Sequence, residues 1–181
     1  MIKSARLKKF ARDLSPQRSR GTSIYYLSKK TVTEQEVDLF IEYCMDWCAQ
    51  TFGINEKRGT PDVEWTWNDR WFQSRNFLGT YDWEDNIISL RIQGHRTVYN
   101  LAQSIIHEWI HSLQSTSWYE RYYTKLGYWG NPYEIEAHFL GEQYAPDCVK
   151  AVVPLVEGAK RRATNRKGSR GAQGKKGGIP P

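Results

Sequence analysis

His107-Glu108-Trp109-Ile110-His111 sets two imidazoles four residues apart, with a carboxylate next to the first. On a helix, residues i and i+4 share a face one turn apart. One metal ion can then accept a nitrogen from each histidine. Glu108 stands where it can act as general base on a metal-bound water. The residue types therefore point to metal-assisted hydrolysis, and not only to a binding site. Catalytic zinc takes three protein ligands and a water, so a third donor is needed. The run Tyr133-Glu134-Ile135-Glu136-Ala137-His138 offers Glu134, Glu136 and His138. On a helix Glu134 and His138 share a face, while Glu136 points about 200° away from Glu134. Ala137 lies on the Glu134 side, where a small residue lets two helices approach closely. Glu134 is the preferred ligand, with His138 beside it as a partner to a ligand or substrate. Glu136 is the second choice, and His138 stays open as third ligand because imidazole suits zinc equally well.

His107-Glu108-x-x-His111 followed by Glu134-x-x-Ala137 resembles the gluzincin branch of the zincin metallopeptidases. In that family Asp or Asn usually follows the alanine, where this chain has His138. After His111 there is no H-x-x-G-x-x-H continuation, which separates the chain from the metzincin branch. The resemblance implies zinc (Zn2+) held by His107, His111 and Glu134, with Glu108 as the catalytic base. Zinc so held lowers the pKa of its water toward ~7 and polarises the scissile carbonyl. Glu108 then passes the water proton to the leaving amine. An oxyanion donor is also expected, and Tyr122, Tyr123, Tyr128, Tyr144 and His95 are its candidates. The implied fold is α+β and zincin-like. A small, mainly antiparallel sheet packs on the helix bearing the motif, with further helices around it. A protein or peptide substrate would add as an extended strand beside the sheet edge.

The elements that must position these residues are legible in the patterning. Thr33-Glu34-Gln35-Glu36 is a capping box, and apolar residues follow at helical spacing to Gly53. Asp62–Trp67 alternates polar and apolar residues and predicts a half-buried strand. Residues 77–81 and 87–92 predict two more, and Trp83-Glu84-Asp85-Asn86 supplies the turn of a hairpin. A helix from Thr97 to about Ser115 carries the motif, with an apolar stripe beside the histidines. Residues 116–130 read as an aromatic-rich connection that forms core or cleft wall. Asn131-Pro132 opens a helix with Pro near N1, running to about Tyr144 and stopping before Pro146. A short helix is expected over 147–156. Further upstream, Ile24–Leu27 reads as a strand.

Charge divides the chain into a body and two ends. Residues 1–30 hold nine Lys/Arg against Asp13 alone, and residues 158–181 hold eight with no acid. Residues 31–157 hold nine basic and 19 acidic residues, a net −10. The expected organisation is a basic flexible arm over 1–23, one domain over 24–157, and a basic disordered tail over 158–181. Flexible basic ends of this kind contact nucleic acid through phosphates and counterion release, or dock on an acidic partner. The alternative function is thus a nucleic-acid-associated protein whose zinc is structural or vestigial. Cys44, Cys48 and Cys148 are odd in number and form no C-x-x-C pair, so buried free thiols in a reducing compartment are expected. The basic start is not followed by an apolar stretch, and no apolar run is long enough to span a bilayer. A cytoplasmic, intracellular location without membrane contact is the expectation.

Overall fold

The computed structural model describes residues 32–68 and 77–172. The arm over 1–23, the strand at Ile24–Leu27 and the end of the tail from 173 onward lie outside these residues.

Helix α1 runs Glu34–Phe52. Its capping box forms on both sides: Thr33 Oγ1 accepts from the Glu36 N–H at 3.2 Å, and Glu36 Oε2 accepts from the Thr33 N–H at 2.8 Å. The helix stops at Gly53, whose φ of 81° suits a residue without Cβ. The other Glu36 oxygen pairs with Lys160, which ties the start of α1 to the last helix. Burial pushes the Glu36 carboxyl up. Lys160 and the two Thr33 bonds outweigh that and hold it below its ordinary 4.5. Its contribution to stability is therefore full above that value and fades as pH falls through the lower folded one. Glu36→Ala is expected to cost about 1 kcal/mol at neutral pH, less near pH 3, as read from denaturant melts. An equal cost at both pH values would remove the charged form from this account.

Three strands follow: β1 Asp62–Thr66, β2 Gly79–Asp82 and β3 Ile87–Arg91. Their order is β1-β3-β2, with β2 antiparallel and β1 parallel to β3. The sheet is thus mixed, where a mainly antiparallel one was expected. The hairpin fixes β2 against β3, and β1 takes the free edge of β3, leaving β2 at the edge beside α2. Asn86 closes the hairpin at φ 57°, a left-handed position that Asn tolerates. Its amide donates to the carbonyls of Arg58 and Thr60, both at 3.2 Å.

Helix α2, Val98–Leu113, starts at Thr97, whose hydroxyl accepts from the Asn100 N–H. It is buried nearly all round: Ile105, Ile106 and Trp109 on its apolar sides, His107, Glu108 and His111 on its polar one. It is the central element, packed against α1, the sheet and the last helix. Residues 116–130, expected as a connection, form helix α3, Thr116–Gly130. No α3 residue is buried, and Gly127 kinks it at φ 69°.

Helix α4 runs Pro132–Ala172, through both Pro146 and Pro154. The expected stop before Pro146, the separate short helix over 147–156 and the disorder from 158 are all corrected here up to residue 172. The buried positions explain the continuity. Ala137, Ala145, Cys148, Val149, Val152, Val153 and Val156 keep helical phase across both prolines. Pro146 lacks the N–H that would reach the Glu142 carbonyl. That carbonyl instead accepts from the Tyr99 hydroxyl of α2 at 3.3 Å. Ala137, Gly141 and Ala145 recur every four residues, and a Cβ on Gly141 would lie 2.9 Å from the Gln103 carbonyl oxygen of α2. The two backbones therefore approach closely along this line. All three cysteines are buried and free, as expected, with Cys44 and Cys148 sulfurs 3.5 Å apart. Burial pushes the Cys44 and Cys48 thiols well up, so they stay protonated.

Candidate metal centre

His107 and His111 project from one face of α2 with their Nε2 atoms 3.0 Å apart. Glu134, in the first turn of α4, brings Oε2 to 3.3 Å from His107 Nε2 and 3.5 Å from His111 Nε2. Donors about 2.0–2.1 Å from a tetrahedral centre stand about 3.3–3.4 Å from one another. The three atoms therefore form a triangle close to one face of a zinc tetrahedron. Two further observations fit a cation there. Glu134 is 3% exposed, and its Oε2 has no hydrogen-bond donor aligned on it among the described residues. Two imidazole nitrogens facing each other at this distance need a shared proton or a cation between them. Burial pushes the Glu134 carboxyl up, but the two imidazoles and the Tyr119 hydroxyl outweigh it and hold the group ionised far below the usual carboxylate range.

The orientation of His111 is fixed by its neighbours. Gln114 donates from its amide nitrogen to the Tyr133 carbonyl at 3.1 Å and to Glu136 Oε2 at 3.0 Å. Its Oε1 is left to accept from His111 Nδ1–H at 2.7 Å. That hydrogen bond leaves the Nε2 lone pair aimed at the triangle. Glu136, the second-choice ligand, is exposed and serves as an anchor for Gln114 instead. His138 lies beside the centre. Its ring is 4.4 Å from that of His107, and one ring nitrogen falls within 4.8 Å of donor atoms of His107 and Glu134. Its Nε2 also meets the Tyr128 hydroxyl at 3.2 Å. Burial and the nearby His107 lower its proton affinity.

Glu108 sits between α2 and the edge strand β2. Its carboxylate oxygen and the ring nitrogens of His107 and His111 all lie within 4.8 Å of one another. Burial pushes its carboxyl up, and the two histidines and the Tyr81 backbone N–H only partly offset this. A carboxylate with raised proton affinity is suited to take a proton from water near neutral pH. Gly79 makes room for it: a Cβ there would lie 3.0 Å from Glu108 Oε1 and 3.1 Å from Cγ. Gly79→Ala is therefore expected to displace the carboxylate. In the general-base role expected of Glu108, a shift of that order would cost about 10²-fold in rate, with metal affinity kept. Turnover and zinc titration of the variant check this, and an unchanged rate would show the cradle to be incidental.

The centre opens into a cleft of about 590 Å³, walled by Gly79, Thr80 and Tyr81 of β2 and by Tyr119, Tyr123 and Tyr128 of α3. Of the five candidate oxyanion donors, Tyr123 and Tyr128 line it. Tyr144 instead packs on Phe52 and Trp47, and Tyr122 on Trp118 and Tyr133. His95 is a core residue bonded to the Arg91 carbonyl and the Ser104 hydroxyl, and burial pushes it down to about 4. Three residues not assigned to the site from sequence complete the surroundings: Gln114, Trp83, whose ring lies 5.8 Å from that of His111, and Tyr119. Only their nearness to the motif or to the aromatic cluster could have flagged them. Comparison with family models, curated proteins and solved structures gives no match for this chain. The metal centre is therefore read from its own geometry. Among the described residues no helix is long and apolar enough to cross a membrane.

Proposed function

We propose that this chain is a zinc-dependent metallopeptidase of gluzincin type. The observation that carries the reading is the convergence of Glu134 Oε2 on the Nε2 atoms of His107 and His111, with Glu108 beside them. A two-histidine, one-carboxylate set that leaves a position open suits catalytic zinc. Zinc bound there would supply Lewis acidity to a scissile carbonyl and acidify a water. His107, His111 and Glu134 would hold the ion. Glu108 would accept the proton of the attacking water at a carboxylate oxygen and return it to the leaving nitrogen. Tyr123 and Tyr128 present hydroxyls on the cleft wall that could donate to a developing oxyanion. The outer edge of β2, unpaired among the described residues, offers backbone groups to an extended peptide.

Zinc analysis of the purified full chain, joined to hydrolysis of a labelled denatured protein, tests the proposal. One zinc per chain is expected, with hydrolysis lost on chelation and restored by zinc. A chain that takes up no zinc, or that cleaves equally well without it, overturns the reading.

A further inference from the structure

We infer that Tyr119 is a positioning residue that occupies one oxygen of Glu134 and leaves the other alone to face the metal. The inference rests on the metal-site reading above. A carboxylate can bind a cation through one oxygen or through both. Here the two Glu134 oxygens have different surroundings. Oε1 accepts a short bond from the Tyr119 hydroxyl at 2.5 Å. Oε2 faces the two imidazole nitrogens with no donor aligned on it, and the Tyr128 hydroxyl also lies against this carboxylate.

Tyr119 is held in place for this task. Its ring packs at 4.7 Å from Trp83, and His111 and Tyr123 flank it at 5.5 and 6.2 Å. Its backbone carbonyl accepts from the Asn131 amide at 3.4 Å. Asn131 also caps the first turn of α4, its side chain accepting from the Tyr133 N–H at 3.0 Å. The residue is thus tied twice to the turn that carries Glu134, once through the hydroxyl and once through the main chain. Because α3 buries no residue of its own, these ties also connect the roof of the cleft to the ligand set. Loss of the hydroxyl would free Oε1 to turn toward the two imidazoles, where a bound ion would meet both carboxylate oxygens instead of one.

The test is titration of the full chain with Zn2+ and, separately, with Co2+ as a spectroscopic probe. Wild type, Tyr119→Phe and Tyr122→Phe are compared. Phenylalanine keeps the ring packed on Trp83, and Tyr122 serves as control because it lies on the same helix outside the cleft. Tyr119→Phe is expected to weaken zinc binding about 10–100-fold, the range for a residue that orients a ligand. Its cobalt complex should show the weak visible absorption of five-coordination, where wild type and Tyr122→Phe show the intense bands of a four-coordinate ion. Wild-type affinity together with a wild-type cobalt spectrum in Tyr119→Phe overturns the inference and leaves the metal site standing. A wild-type chain that binds neither ion overturns both.

Discussion

Glu108→Gln is expected to reduce hydrolysis about 10²–10⁴-fold, the usual worth of a general base, while the chain still binds one zinc. The substitution keeps shape and burial. The amide oxygen can still accept from the Tyr81 N–H, and the side chain still fits the space left by Gly79. What it loses is an atom that can take a proton. The wild-type carboxylate is costly to bury as an anion, which is why its proton affinity is raised. A neutral amide avoids that cost, so the variant should be at least as stable as wild type. Steady-state rates, zinc content and melting temperature measured on one preparation separate these effects. Full activity in a zinc-loaded Glu108→Gln would exclude this residue as the base.

Glu134→Ala is expected to weaken zinc binding by more than about 100-fold, beyond the upper range for residues that only orient a ligand. The change removes one corner of the triangle and leaves the Tyr119 hydroxyl without its acceptor. It also alters the competition between zinc and protons. Burial lowers the affinity of His111 for a proton, but Glu134 and Glu108 raise it above its ordinary 6.5 overall. Histidine must be neutral to bind metal, so zinc occupancy in wild type should fall as pH drops through that region. Competition titrations against a chelator across pH give both quantities. Wild-type affinity in Glu134→Ala would shift the ligand role to His138, whose ring nitrogen is also within reach of His107.

Much of the centre could be read from sequence because helical phase carries it. His107, Glu108 and His111 are related by a single helix, and Glu134 and Ala137 by another. The capping box at Thr33 and the hairpin turn ending at Asn86 are local, and both form as read. The remainder depends on contacts between distant parts of the chain. Nothing near Asp62 specifies that β1 runs parallel to β3, because that direction follows from the path of the intervening chain and the packing of the sheet on α2. Pro146 and Pro154 are strong local signals to end a helix, and burial of a continuous apolar stripe overrides them. Tyr119 resembles its neighbours Tyr122 and Tyr123 in sequence, and only folding shows which of them meets Glu134.

The bond from Tyr99 to the Glu142 carbonyl links the backbone of α4 to its packing on α2. On its own, α4 has a gap in its hydrogen bonding at Pro146, eight residues past Pro154 counted backward and twelve past Glu134 counted forward. The partner that fills the gap belongs to α2. The α2–α4 packing that satisfies this carbonyl is the same packing that brings Glu134 to His107 and His111. Two donors stand on α2 and the third on α4, so an ion held between them would cross-link the two helices and add its binding energy to their docking.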